Sequence, residues 1–96
     1  MVPSQVNIAG VILAAGQSSR FGQPKQLLPW GKRNMLNTCI ANAKNAMLSP
    51  IVVVLGAHYE EILPEMDQEG VEVVINYHWA EGQSTSVKAG VSVLPE

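Results

Sequence analysis

Cysteine, aromatic residues, charge and long apolar runs are all scarce in this sequence, and each shortage closes off a class of protein. One cysteine, Cys39, in 96 residues can build neither an internal disulfide framework nor a cysteine-rich zinc site. It fits a reducing, cytoplasmic setting. Aromatics are 5% of the chain, so a core has to come from Val, Ile, Leu, Ala and Met. No apolar stretch approaches the ~18 residues of a membrane span. The N-terminus lacks the basic flank and apolar run of a signal peptide, so no membrane partner is expected. Charged residues make up 15% and hydrophobic ones 47%, a globular rather than a disordered balance. The length suits one domain over residues 1–96.

Acids are missing altogether from residues 1–59, which hold Arg20, Lys25, Lys32, Arg33 and Lys44, while all eight acids and Lys88 follow. Clustered positive charge raises the local concentration of anions, so the first half is where an anionic ligand is expected. The patch is too small for duplex nucleic acid. No basic helix or series of stacking aromatics accompanies it, and no nucleic-acid partner is expected.

What is present alternates between two periods. The run "VNIAGVILAA" is β-branched and almost wholly apolar, as a strand buried on both faces should be. In "NMLNTCIANAKNAM", Leu36, Ile40, Ala43 and Met47 share one helical face, with Asn34 as cap and Pro50 beyond the end. Cys39 is expected in the core. "PIVVVLG" reads as a second buried strand. "HYEEILPEM" reads as a helix with Glu60 and Glu61 in its first turn, shortened by Pro64. "VEVVIN" is a third strand. "QSTSVKAGVSVL" puts Val87, Gly90, Val91 and Leu94 on one stripe, with Ser84 as a candidate cap. Three successive β–α units predict an α/β fold with a parallel sheet and right-handed crossovers. Ligands of such sheets bind beyond the carboxyl ends of the strands.

The segment that follows the first strand is "LAAGQSSRFGQPKQLLP", Leu13 to Pro29. A dinucleotide fingerprint requires G-x-G-x-x-G, and five residues separate Gly16 from Gly22 here. A Walker A loop requires G-K-[ST], and Gln23 follows Gly22. A different phosphate cradle fits. Gly16 lets the backbone turn sharply and approach a ligand without a Cβ. The amides from Gln17 to Arg20 can form an anion-binding nest. Arg20 supplies a bidentate fork, Lys25 a mobile point charge, and Pro24 stiffens the approach to Lys25. The stretch to Lys32 is long for an ordinary β–α connection, which marks a functional loop.

These residues closely resemble the signature L-A-A-G-x-S-x-R-[FM]-G-x-x-K-x-L-L-P of MobA-like nucleotidyltransferases, nearest to the molybdopterin cytidylyltransferase type. Leu13, Ala14, Ala15, Gly16, Ser18, Arg20, Phe21, Gly22, Lys25, Leu27, Leu28 and Pro29 fit in register, as does Pro24. A second stretch, "NYHWAEGQSTSVKAGV", is similar to the family's later N-P-x-W-x-x-G-x-x-x-S-[LV]-x-x-G segment through Asn76, Trp79, Gly82, Ser86 and Gly90. Tyr77 stands where a proline is common. The resemblance implies half of a Rossmann-like doubly wound fold with strand order 3-2-1. It implies that Leu13, Ala14 and Ala15 lie beside the nucleobase. Gly16, Gln17, Ser18, Ser19, Arg20 and Lys25 would hold the triphosphate, with Arg20 and Lys25 as the catalytic charges. Asn76, Gly82, Ser84 and Ser86 would lie near base and ribose. The implied reaction is attack by a molybdopterin-type phosphate acceptor on the α-phosphate of CTP or GTP, expelling pyrophosphate, with magnesium on the phosphates.

Family members run to roughly twice this length and carry a C-D-x-P-type turn whose Asp binds magnesium. The only Asp here is Asp67. The expectation is therefore a nucleotide-cradling half without its metal-and-acceptor half, and negligible transfer by these 96 residues alone. The alternative is a non-catalytic nucleotide-binding or interaction module. Lys32, Arg33 and Glu81 are expected in solvent, and His58 and His78 in structural roles. Trp79 is either a base platform or packing beneath the loop. The first strand would be an open apolar edge, which predicts a homodimer through it.

Overall fold

Each apolar run becomes a strand, and what surrounds the strands decides which of them is central. The computed structural model describes residues 8–16, 19–20 and 23–94, with backbone alone for Ser19, Arg20, Gln23, Lys25 and Trp30. Three parallel strands, β1 (Gly10–Ala14), β6 (Ile51–Leu55) and β7 (Glu72–Ile75), form one sheet in the order β1-β6-β7. Gly10 to Ala14 of β1 pair in register with Ile51 to Leu55, and Val52 to Leu55 with Glu72 to Ile75. Every residue of β6 is buried. β1 has no second ladder partner among the described residues, and its Leu13 is 37% exposed.

Side chains alternate across a strand, so β6 feeds two cores. Val53 and Leu55 join Ala14, Leu36, Ile40, Ile62 and Met66 on one face. Val52 and Val54 join Ala15 on the other, packed against Val11, Val74, Trp79, Ala89 and Leu94. The first core lies under α1 (Met35–Asn45) and α2 (Tyr59–Ile62), the second under α3 (Gln83–Ser92). The chain steps from β1 to β6 to β7 with both intervening helices on one face, and then α3 turns back over the opposite face. That reversal is the doubly wound arrangement, and it puts the switch point beside β1, where such sheets bind ligands.

The close approach of α3 rests on Gly90. A Cβ there would stand 2.8 Å from Val11 Cγ1 and 2.9 Å from Val54 Cγ2. The helix therefore packs by its small residues, Ser86 and Gly90, both buried. Val87 and Val91 flank that strip and are 43% and 54% exposed. This corrects the expected stripe at Val87 and Val91, while its Gly90 and Leu94 do pack inward: distance of approach, and not apolarity alone, selects the buried face. Ser84 does not cap α3. The cap position is Gly82 at φ 126°, with no side-chain cap, and Ser84 is exposed.

The first helix follows expectation at its start. Asn34 Oδ1 accepts from the Asn37 amide at 2.7 Å. At its end the helix stops at Asn45, and Met47 takes φ 61° and lies 86% exposed, off the expected stripe. Cys39 is exposed too, against expectation, because it falls one position before Ile40 and about 100° off the buried face. Pro64 lacks an amide proton, and after the short α2 the chain continues as a 3-10 turn, Leu63–Glu65.

The described parts of the long β1–α1 connection pair locally. β2 (Ser19–Arg20) pairs antiparallel with β3 (Gln23–Pro24), a 3-10 turn spans Lys25–Leu27, and β4 (Pro29–Trp30) pairs with β5 (Arg33–Asn34). Lys32 and Arg33 sit exposed around the β4–β5 turn, as expected. The expected strand start at Val6 falls outside the described residues, and regular pairing begins at Gly10.

Candidate functional site

At the carboxyl end of β1 the chain leaves the sheet at Ala15 and Gly16, and the start of α3 comes up beside it. Between them lies a cleft of about 700 Å³ lined by Leu13, Ala15, Gly16, Trp79, Gly82 and Ser86, among others. Five residues singled out in the sequence, Leu13, Ala15, Gly16, Gly82 and Ser86, thus meet at one place although they come from opposite ends of the chain. Ala14 does not face this cleft. It lines a smaller groove on the α1 side with Gln26, Met35 and Cys39. Ser84 is exposed and is not part of the lining. Gln17 and Ser18 lie outside the described residues. For Ser19, Arg20 and Lys25 the backbone is placed, in β2 and in the 3-10 turn that follows β3.

Gly16 has no atom of the described residues within 4 Å of where a Cβ would be, and its φ is not in the left-handed region. The turn therefore does not require glycine. What glycine supplies is open space at the mouth of the cleft. Gly56 is the opposite case. A Cβ there would meet Trp79 Cβ at 2.7 Å and Ala15 Cβ at 2.8 Å. Trp79 is thus seated over the end of β6 against Gly56 and Ala15. Beyond it lies a second cleft of about 400 Å³, shared with His58, Tyr59 and Glu61. Trp79 packs against the sheet end and also forms a wall of both clefts.

Asn76 is buried behind the cleft. Its Nδ2 donates to Thr85 Oγ1 at 2.8 Å and to Ser86 Oγ at 2.9 Å, and its Oδ1 accepts from the His78 amide at 2.9 Å. The amide of Asn76 donates to Leu55 O at 2.7 Å. The residue locks the start of α3 to the end of the sheet. Because Ser86 Oγ accepts from Asn76, its own proton is left to be donated, and Ser86 lines the cleft. The arrangement offers a hydrogen-bond donor to a ligand acceptor such as a ring carbonyl.

A residue that the sequence reading missed sits on the other side of Gly16. Gln26 Nε2 donates to Ala14 O at 2.8 Å and to Gly16 O at 3.3 Å. The signal available was an amide side chain next to Lys25.

Each of the two histidines near the clefts faces a glutamate. His78 Nδ1 lies 2.6 Å from Glu81 Oε2, both side chains exposed. His58 takes φ 64° ahead of α2, with Nδ1 3.5 Å from Glu61 Oε1. The charge of Glu60, then burial and Tyr77, raise the Tyr59 hydroxyl above its ordinary value, so it stays a neutral donor at physiological pH. No carboxylate lines the main cleft, and no group of three or more His, Cys, Asp or Glu side chains that could hold a metal occurs among the described residues. These residues do not fit a resident magnesium ion, which prefers carboxylates together with water and phosphate oxygens.

Comparison with known proteins agrees with this geometry. Residues 10–96 match the model of the MobA-like NTP transferase domain. The chain is 40% identical over 85 residues to the molybdenum cofactor cytidylyltransferase of Escherichia coli K12, covering 88% of this chain and 44% of that protein. It is 32% identical over 84 residues to nicotine blue oxidoreductase of Paenarthrobacter nicotinovorans, covering 86% and 41%. Among solved structures it is similar to Rv0371c of Mycobacterium tuberculosis H37Rv, with TM-score 0.80, 31% identity, and coverage of 93% of this chain and 45% of that one. A second structure of Rv0371c, a complex with manganese, superposes with TM-score 0.64 at 33% identity, covering 73% and 36%. The chain spans under half the length of the relatives it matches.

Proposed function

The chain belongs to the MobA-like NTP transferase family, and on that premise we propose that it is the nucleotide-holding part of a cytoplasmic nucleotidyltransferase acting on CTP, with GTP as the other candidate. The acceptor is a molybdopterin-type phosphate and the leaving group is pyrophosphate. One observation carries the reading. The cleft at the switch point gathers Leu13, Ala15, Gly16, Gly82 and Ser86 at the point where the loop bearing Arg20 and Lys25 leaves the sheet. Ser86 gives a donor for the base. Arg20 and Lys25 take the phosphates and neutralise charge as pyrophosphate departs. A divalent metal, magnesium by preference, comes with the triphosphate, and no step is assigned to it.

Calorimetric titration with CTP in the presence of magnesium tests the proposal. Lys25→Ala and Arg20→Ala should each weaken binding by about 1.5–3 kcal/mol, the range for hydrogen bonds to charged groups. Equal affinity for the wild type and both variants would reject it.

The second reading, a nucleotide-binding module without transfer, is favoured by the absence of any carboxylate from the cleft lining. The same titrations extended to pyrophosphate release with a pterin phosphate acceptor separate the two. For these 96 residues alone binding without turnover is expected, and metal-dependent turnover abolished by Lys25→Ala would favour the transferase outright.

A further inference from the structure

The 3-10 turn Lys25–Leu27 follows a ten-residue excursion from the sheet, yet its middle residue returns to the sheet. Gln26 Nε2 donates to Ala14 O, the last residue of β1, at 2.8 Å, and to Gly16 O at 3.3 Å. Both partners are carbonyls, so the amide can have only one orientation: the NH2 group faces the strand end and Oε1 faces away. Oε1 is buried and accepts no hydrogen bond from the described residues. A buried acceptor without a donor costs free energy. The donating side is what the fold uses.

We propose that Gln26 is a positioning residue for the triphosphate: it clips the loop carrying Lys25 to the carboxyl end of β1, so that the backbone of Lys25 and the turn at Gly16 are held at a fixed separation before nucleotide arrives. Two donated bonds bridge positions 14 and 16 to position 26, so both ends of the cradle move as one body. The inference rests on the nucleotide-binding reading above and adds to it which residue sets the spacing. Without the clip the loop has to be ordered when ligand binds, and affinity falls by that cost.

The test exploits the direction of the bonds. Gln26→Glu is isosteric, but as a carboxylate it presents an acceptor to two carbonyl oxygens and cannot donate; protonated, it can donate one bond. Burial between carbonyls keeps a carboxyl protonated to higher pH than in water. The groove around it is apolar apart from Cys39, the only titratable described residue among its lining. CTP affinity with magnesium is measured for the wild type, Gln26→Glu and Gln26→Met at pH 8 and pH 5.5, with melting curves to verify folding. Gln26→Glu should bind about tenfold more weakly at pH 8, one ordinary hydrogen bond in magnitude. Relative to wild type at the same pH, it should recover most of that loss at pH 5.5. Gln26→Met should be weak at both. Wild-type affinity for Gln26→Glu at pH 8, or an equal loss at both pH values in a folded variant, overturns the proposal. Lys25→Ala run alongside keeps the two ideas apart. If it and Arg20→Ala both bind as wild type, the nucleotide reading fails. If it weakens while Gln26→Glu does not, only the clip fails.

Discussion

β1 and β6 are written in the same alphabet, GVILA and IVVVL, and the fold treats them oppositely. β6 is hydrogen-bonded on both edges and buried at every position. β1 is paired on one edge among the described residues and is buried only at its ends, Gly10 and Ala14. Composition says that a strand is fit for the interior; its rank in the sheet decides whether it is there. The half-open strand is also the one whose carboxyl end holds the cleft. Burial is concentrated in β6 and the candidate site lies beside β1, which is the usual division between a rigid scaffold and a site placed at its margin.

The largest test of that division compares two leucines. Leu55 has 0% exposure and bridges the α1 and α2 packing, while Leu13 is 37% exposed. Leu55→Ala leaves a cavity and should cost about 2–5 kcal/mol. Leu13→Ala should cost under about 1 kcal/mol in dilute solution. Urea denaturation gives both values, and equal losses would end the contrast. The homodimer proposed through the β1 edge enters here. If a second copy covers that edge, the Leu13→Ala loss grows with protein concentration and the Leu55→Ala loss does so no more than wild type. Light scattering that finds only monomer at high micromolar concentration would reject the dimer.

Two glycines carry the comparison to a smaller scale. Gly56 is closed in by Trp79 and Ala15, both below 3 Å from where a Cβ would stand, whereas no described residue comes within 4 Å of that place at Gly16. Gly56→Ala should destabilise by about 1–3 kcal/mol through overpacking. Gly16→Ala should leave stability unchanged or raise it by up to about 1 kcal/mol, since its φ suits alanine and the unfolded chain loses freedom. CTP affinity should move the other way, with Gly16→Ala losing about tenfold as its methyl enters the cleft. Loss of stability in Gly16→Ala would show that the glycine serves the backbone after all.

How far the sequence carried these distinctions depends on the range of the interaction involved. Local ones were legible: Asn34 as a cap, Pro64 as a helix shortener, three apolar runs as strands, and a functional loop after the first. The likeness to a known family placed Leu13, Ala15, Gly16, Gly82 and Ser86 at a ligand site, and the fold does bring them to one cleft. What was missed depends on geometry across the chain. The α3 stripe holds at Gly90 and Leu94 but not at Val87 and Val91, because close approach to Val11 and Val54 favours the small residues Ser86 and Gly90. Gln26 was passed over because its partners lie twelve and ten residues away. Asn76 has a structural part that its residue type alone does not reveal: its side chain ties Thr85 and Ser86 to the end of the sheet. Cys39 was placed in the core on residue type, where its helical phase puts it outside.

The smallest expected effect lies at the surface, at the ion pair that joins α1 to the segment after α2. Lys44 Nζ lies 3.1 Å from Asp67 Oδ2, with side chains 35% and 48% exposed. The hydrogen bond from Lys44, and then the one from the Glu69 amide, hold the Asp67 carboxyl below its ordinary range. The folded chain therefore binds this proton at lower pH than the unfolded chain does. The stabilisation is complete above the unfolded value, about pH 4, and is lost as pH falls through the folded one. Exposure and salt screening limit it to about 0.5 kcal/mol or less. Asn37 competes for the same junction with neutral bonds, Nδ2 to Glu65 O at 2.9 Å and Oδ1 from the Asp67 amide at 2.7 Å, and these do not titrate. Asp67→Asn should therefore lower stability slightly at pH 7 and less near pH 2.5, with the gap at pH 7 shrinking in high salt. Denaturation midpoints at the two pH values check this. A loss at pH 7 as large as that of Leu55→Ala would mean that charge at the margin, and not burial in the central strand, sets the stability of this fold.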